Sequence, residues 1–414
     1  MNRNQSLPPA VTGRIPQKYP WLSEDKFCDV CVVGGGLTGA LCALAAAQSG
    51  LETVLITAGC AGFGGTAYSS GAAEYDGGRT LTGLDRSMEI SDALKLLELG
   101  TDALDDLENL CGRLDGQYGG QDAATGFERR DSLLFTSQPS DTPLLETEYL
   151  ARRERLPGCT LLSRKTAADA FAFDCAGGIL SKGGGAVLDA YALTQLCLKD
   201  ASRHGAEIFE HTAAEDIQLP KHDGSVTVAV STQRVIYAGK LILATGGDGI
   251  STLPCRSVRR REFTVICRAG RPGHPAGWAG RCLLRGFGSG IGCCIRPDGS
   301  AAAYAGYRAN RLPLPFGRGR DGGAEHSRLT RRLREVLPEE SECRPVSAFS
   351  MEYDTPADGL PVAGTHENYK GCVFALCAGY SAPVYAMMTA SAAIAALKGY
   401  NHPGYALFSP SRLF

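Results

Sequence analysis

The stretch Asp29-Val-Cys-Val-Val-Gly-Gly-Gly-Leu-Thr-Gly39 decides how this chain is read. Residues 28–33 form a short apolar run, the pattern of a strand buried on both faces in a parallel sheet. A glycine turn follows at once. Residues 40–49 are rich in alanine and read as a helix, with Gly50 placed to end it in the left-handed region. Thr53-Val-Leu-Ile-Thr57 is a second apolar run. Strand, turn, helix and strand make a βαβ unit, and that setting turns Gly34-x-Gly36-x-x-Gly39 into a dinucleotide-binding signal. Gly34 permits the tight turn, Gly36 lets the backbone approach a pyrophosphate, and Gly39 allows close helix–strand packing. The start of the helix, with Leu37 and Thr38, adds N–H groups and the positive end of a dipole.

Further along, the second strand should end in an acid that binds a ribose hydroxyl. Here that position is Thr57, followed by Ala58, so a neutral hydroxyl stands in for a carboxylate. Gly62-Phe-Gly-Gly-Thr66 offers more backbone N–H groups, as for a larger cofactor. Residues 84–110 carry apolar side chains at helical spacing. A helix over 189–204 is expected, with Asp189 as N-cap and Gly205 at its end. It leads into a strand at 207–212. Residues 226–230 and 235–237 read as a hairpin, and 241–244 as a buried strand ending in Thr245-Gly-Gly247. Strands at 291–296 and 301–307 flank the turn Pro297-Asp298-Gly299. A strand at 372–377, a turn and a helix over 384–397 close the chain.

Thus β–α–β material occurs near the start, middle and end, with antiparallel material between. The fold class expected is α/β: a discontinuous Rossmann-like dinucleotide-binding domain with an inserted α+β domain on a mixed, largely antiparallel sheet. The expected division is an N-terminal arm at 1–27, the dinucleotide domain at 28–100, 170–250 and 345–414, and the substrate domain at 101–169 and 251–344.

Composition narrows the function. The 414 residues are 44% hydrophobic and 21% charged with net charge −2, which excludes a disordered chain and a nucleic-acid arm. The 52 glycines are clustered, as for backbone-lined ligand sites. The sixteen cysteines lie mostly in apolar runs, and residues 1–27 contain no apolar core of a signal peptide, so reduced thiols and a cytoplasmic location are expected. Cys28 and Cys31 fall on opposite faces of a strand, and no second Cys-x-x-Cys pair completes a zinc site, so no metal is expected. The uncharged stretches 30–51 and 371–397 are dominated by Gly, Ala, Ser and Thr, and no transmembrane segment is expected. Residues 256–334 hold 17 Arg, no Lys and 4 acidic residues, including Arg259-Arg260-Arg261; few aromatics are interleaved, so no nucleic-acid partner is expected.

Taken in order, these pieces resemble the FAD-dependent oxidoreductases of the D-amino-acid-oxidase type, which include glycine and sarcosine oxidases. Residues 29–39 resemble the family's FAD-binding opening, and Gly62-Phe-Gly-Gly-Thr-Ala-Tyr-Ser-Ser70 its pyrophosphate and flavin loop. Phe127-Glu-Arg-Arg-Asp-Ser-Leu-Leu134 is similar to a substrate-domain strand, and His211-Thr-Ala-Ala214 to the segment contacting adenine. Leu243-Ala-Thr-Gly246, Asp358-Gly-Leu-Pro-Val-Ala-Gly364 and Leu407-Phe-Ser-Pro-Ser-Arg412 resemble later family segments. The resemblance implies non-covalent FAD held by Gly34, Gly36, Leu37, Thr38, Gly39, Thr57, Ala58, Gly65, Thr66, Ala67, Ala214, Thr245, Gly246, Gly364, Gly379, Tyr380 and Ser381. It implies oxidation of the C–N bond of a small amine or amino acid by hydride transfer to flavin N5, with oxygen, a quinone or a protein as electron acceptor. Arg308, Tyr353 and Tyr380 are substrate-pocket candidates; no catalytic acid or base is assigned. Departures at Thr57 and in Gly379-Tyr-Ser-Ala-Pro383 favour an alternative, a catalytically weak member acting as a binding or assembly subunit.

Overall fold

The computed structural model describes residues 17–84, 88–119, 124–156, 158–220, 224–268, 282–308, 322–337, 343–377, 379 and 382–414. Strand β1 (Lys26–Val33) lies at the centre of the first sheet, and its last four residues are buried. It runs parallel to β2 (Thr53–Ile56) on one side and to the strand Arg234–Leu243 on the other. Glu207–Phe209 extends the sheet beyond β2 in parallel. Cys372–Leu376 extends it beyond Arg234–Leu243, also in parallel, and Val362–Thr365 closes that edge antiparallel. Helix α1 (Leu37–Gln48) connects β1 to β2 and packs against the helices Ala190–Arg203 and Ala382–Leu397. Alanine, Cys42 and Leu44 in α1 let these helices approach closely.

The second sheet runs in the order Arg344–Pro356, Ser257–Arg268, Ala301–Arg308, Gly292–Ile295, Leu283–Gly286, Glu128–Thr136, Gly177–Val187, Ala72–Glu74, with Cys159–Ser163 paired to Gly177–Val187. Only the pair Leu283–Gly286 and Glu128–Thr136 is parallel among these described strands. The period of two along Ser257–Arg268 sorts its side chains. Phe263, Val265 and Cys267 pack with Leu329, Leu333 and Val336 of the helix Gly322–Val336. Glu262, Thr264 and Ile266 occupy the opposite face, where Ile266 meets Ala72, Tyr304, Phe349 and Tyr68.

The βαβ unit, the Asp189 cap and the hairpin around Pro297-Asp298-Gly299 form where the sequence places them. Asp189 accepts a hydrogen bond from Ala192 N at 2.9 Å, and Ala301–Arg308 pairs antiparallel with Gly292–Ile295. Other expectations change. The strand expected over 207–212 stops at Phe209, because His211 has φ 50°, outside the extended region. The segments 235–237 and 241–243 are parts of the single strand Arg234–Leu243, and Ala244 lies just beyond its end. The helix expected over 84–110 is Ile90–Tyr118. Gly177–Val187 and Arg344–Pro356 pair within the second sheet, although the next strands along the chain, Glu207–Phe209 and Val362–Thr365, lie in the first. Hydrogen-bond partners, not neighbours in sequence, decide which sheet a strand joins. All sixteen cysteines are free thiols. Among the described residues, no helix is long and apolar enough to cross a membrane.

Candidate functional site

The carboxyl ends of β1, β2 and the strand Arg234–Leu243 converge at the start of α1, the usual ligand crevice of a parallel sheet. The three motif glycines do different work there. Gly34 has φ +124°, and a Cβ on it would lie 2.3 Å from Ala244 O. A Cβ on Gly39 would lie 1.8 Å from Gly34 O. Both glycines therefore serve close backbone packing. A Cβ on Gly36 would meet only Thr66 Oγ1, at 3.3 Å. Gly36 borders space rather than backbone.

Leu37, Thr38 and Gly39 are buried, yet the cap residue Gly36 makes no side-chain bond to the helix start. Leu37 N donates to Thr66 Oγ1 at 3.1 Å. Beyond the Leu37 N–H taken by Thr66, the buried helix start presents the N–H groups of Thr38 and Gly39, which suit an anion. These residues fit the pyrophosphate of a dinucleotide. Thr66 sits in the turn Gly65–Tyr68, and Ala67 of that turn packs on Tyr191.

The remaining cofactor candidates divide into those at this crevice and those elsewhere. Thr57 N donates to Phe209 O at 3.0 Å, and Thr57 O accepts from Thr212 N at 2.9 Å, which brings Thr57 and exposed Ala58 beside the chain leading to Ala214. The Thr57 side chain stands 2.8 Å from a Cβ built on Gly35, so the hydroxyl lies against the glycine turn. Thr245 N is 3.2 Å from a Cβ built on Gly34, and Gly246 adopts φ +64°. Thr38 Oγ1 and Cys377 Sγ are 3.1 Å apart. Gly364 is different: a Cβ there would face Tyr405 at 3.5 Å and Pro410 at 3.8 Å, toward the C-terminal segment. Tyr380 and Ser381 lie outside the described residues.

Facing this crevice is the second sheet. A Cβ on Gly65 would lie 3.2 Å from Met351 Sδ, and one on Gly247 would lie 2.8 Å from Tyr353 Cβ. Tyr353 is buried, and its hydroxyl would lie 3.4 Å from a Cβ on Gly379. That hydroxyl donates to Glu262 Oε2 at 3.4 Å. Glu262 is buried, and burial pushes its carboxyl up to about 8 against the opposing pull of the Tyr353 hydrogen bond and the Arg285 charge. Arg285 is itself paired with buried Glu74, which also accepts from Tyr304 Oη at 3.0 Å. Arg308 is exposed at the end of its strand, opposite Arg260, two residues beyond Gly306, which lies opposite Glu262.

No motif in the sequence marks Glu262 or Met351 as part of this site. Glu262 follows Arg259-Arg260-Arg261 and is masked by that charged run. Its signal is the alternation Glu262, Thr264, Ile266 against Phe263, Val265, Cys267. The arginine run is largely occupied: Arg259 pairs with Asp354, Arg261 with Glu352, and Arg260 Nε donates to Thr355 Oγ1 at 3.2 Å.

Comparison with known proteins adds to this geometry. A family model described as DAO, FAD dependent oxidoreductase, matches residues 29–397. Gamma-glutamylputrescine oxidoreductase of Escherichia coli (strain K12) is 36% identical over 78 residues, a stretch that is 19% of this chain and 18% of that relative. Glycine oxidase from Geobacillus kaustophilus has a similar structure at 17% identity and TM-score 0.77, covering 94% of this chain and 100% of that one. L-proline dehydrogenase from P. horikoshii is similar at 14% identity and TM-score 0.71, covering 94% of this chain and 98% of that one. L-amino acid deaminase from Proteus vulgaris is similar at 15% identity and TM-score 0.70, covering 97% of both chains.

Proposed function

This chain belongs to the family of FAD-dependent oxidoreductases, and from that premise we propose that it oxidises the C–N bond of a small amine or amino acid. The observation that carries the proposal is the pairing of two features across one crevice. One is the buried start of α1, bonded at Leu37 N to Thr66 Oγ1, beside open Gly36; the other is the buried carboxyl of Glu262 beside Tyr353.

Gly36, Leu37, Thr38 and Thr66 would hold the FAD pyrophosphate, Thr57 and the 209–214 segment the adenosine end, and Gly65 and Gly379 the flavin end. When bound, non-covalent FAD would supply a two-electron acceptor able to take a hydride at flavin N5. The protein residues bind, orient and manage the proton. Burial raises the Glu262 carboxyl to about 8, so it holds its proton at neutral pH; in the ionised form, populated as pH rises toward and beyond about 8, a carboxylate oxygen would accept a proton from the substrate ammonium. The neutral amine then keeps its lone pair available to stabilise the developing iminium, which water later hydrolyses. Tyr353 holds the Glu262 carboxyl in place through its hydroxyl. Arg308, exposed at the end of its strand opposite Arg260, would receive a substrate carboxylate, for which a guanidinium is geometrically suited. The onward electron acceptor would be oxygen, a quinone or a protein. The sixteen free thiols support the reading that the protein works in a reducing compartment such as the cytoplasm.

The alternative, a binding subunit with little turnover, is favoured by neutral Thr57. The paired state of Arg259 and Arg261 gives it less support. The test is a visible spectrum of the protein after incubation with FAD and desalting, followed by anaerobic addition of an amine and amino-acid panel. The proposal expects a retained oxidised-flavin spectrum that one class of substrate bleaches. A protein that never retains flavin, or flavin that no compound in the panel bleaches, would overturn it.

A further inference from the structure

Three side chains capable of binding metal come together where the loops after β2 and Glu207–Phe209 leave the first sheet; Glu210 and His211 lie in the segment proposed for the adenosine end, but none of the three side chains is given a role in the oxidation. β2 and Glu207–Phe209 are parallel neighbours, so the loops that follow them leave the same edge. Cys60 lies in the first loop; Glu210 and His211 begin the second. Their candidate ligand atoms, a thiol sulfur, a carboxylate oxygen and a ring nitrogen, all lie within 4.8 Å of one another.

The spacing suits a tetrahedral ion. With Zn–S near 2.3 Å and Zn–N near 2.0 Å, sulfur and nitrogen on one centre stand roughly 3.6 Å apart. Cys60 Sγ and His211 Nε2 are 3.7 Å apart, a separation that also admits a thiol–imidazole hydrogen bond in the metal-free protein. Glu210 is buried and already oriented: Oε1 accepts from Ala61 N at 2.7 Å and Oε2 from Tyr19 N at 3.3 Å. Each carboxylate oxygen keeps a second lone pair, and outer hydrogen bonds of this kind fix a ligating carboxylate. His211 is one of two described non-glycine residues with positive φ, at 50°. This less populated backbone state aims its ring at Cys60 while His211 N donates to Gly59 O at 3.3 Å. Cys60 is half-buried and His211 exposed, so an ion can enter.

We infer that Cys60, Glu210 and His211 form a binding site for a divalent transition metal of the zinc class. Thiolate and imidazole select such an ion over magnesium or calcium, and thiolate plus carboxylate balance its two charges. On binding, the thiol proton is released to solvent and sulfur takes its place as a ligand, leaving a fourth position for water. The ion ties the loop that leads to Thr66 to the 210–212 segment, on which residues 19–22 are docked by Leu22 N donating to Thr212 Oγ1 at 3.1 Å. The inference rests on this geometry alone and stands whether or not the chain oxidises amines.

The test uses the full chain, stripped with chelator and titrated with Co2+. Expected is one equivalent of bound Co2+ with near-ultraviolet thiolate charge-transfer absorption, displaced by one equivalent of Zn2+. Cys60→Ala should lose that absorption. His211→Asn, which tolerates the same backbone region, should bind Co2+ at least tenfold more weakly. Zn2+ should raise the Tm of the wild-type protein and not that of folded Cys60→Ala. Should Cys60→Ala fail to fold, His211→Asn carries the comparison. Absence of the charge-transfer band in the wild type, or its full retention in the folded variants, would overturn the site.

Discussion

At Gly36 a single methyl separates binding from folding. Gly36 has ordinary φ −81°, and a Cβ there meets only Thr66 Oγ1. Gly36→Ala should fold with a Tm close to wild type in the absence of FAD and bind FAD about tenfold or more weakly, a loss of roughly 1.4 kcal/mol or more. Gly39→Ala places its methyl 1.8 Å from Gly34 O, where only backbone movement relieves the clash. It should cost about 1–3 kcal/mol or more of stability before any cofactor is added. FAD titration by fluorescence and thermal melts of both variants make the comparison; equal melting of the two would sink it.

Glu262 carries a second prediction at the same scale. Its folded carboxyl titrates at about 8, raised by burial, while an unfolded glutamate titrates near 4.3. Between these values the unfolded chain has released its proton and the folded chain keeps it. The folded state therefore binds more protons, and stability is full below about pH 4 and falls as pH rises toward about 8. Glu262→Gln removes this fall. Melting temperature against pH should decline across that window in the wild type relative to the variant; parallel curves would contradict the assignment.

At the scale of elements, the helix Ala190–Arg203 shows how a local signal supports a distant site. Its cap Asp189 accepts from Ala192 N at 2.9 Å and donates its own N–H to Thr125 O at 2.7 Å. The helix packs on α1, whose start holds the crevice. Asp189→Ala should cost about 1 kcal/mol, and Asp189→Asn much less, because asparagine caps almost as well. Denaturant midpoints of the two variants check this.

For the molecule as a whole, the second sheet is held by a buried charge pair that reaches across its strands. Glu74 lies on the edge strand Ala72–Glu74 and Arg285 on Leu283–Gly286, with two strands between them in the sheet order. Both side chains are nearly inaccessible, at 4% and 5%. Arg285→Met leaves the Glu74 carboxylate buried without that partner and should destabilise the fold by about 3–5 kcal/mol. Adding Glu74→Gln should restore part of the loss. Arg285 also opposes the rise in the Glu262 pKa, so Arg285→Met should move the pH-dependent decline to higher pH. Denaturation across pH separates the two effects.

Local chemistry made much of this protein legible in its residues. Three glycines at fixed spacing between two apolar runs imply the βαβ unit, because the strand, turn, helix and second strand all fall within about thirty residues. The Asp189 cap and the Pro297-Asp298-Gly299 hairpin were readable for the same reason. Gly177–Val187 was not: its five glycines lack strand propensity, and at several of them neighbours approach closely, as where a Cβ on Gly185 would stand 2.2 Å from Leu283 Cδ1. Glu262 looked like the end of an arginine run until the sheet turned it away from Arg261 and buried it beside Tyr353. Cys60 and His211, 151 positions apart, meet only because β2 and Glu207–Phe209 are parallel neighbours. Turns, caps and phosphate cradles depend on nearby residues and are written along the chain. Burial, charge partners and convergent ligands depend on which strands lie side by side, which only the tertiary structure decides.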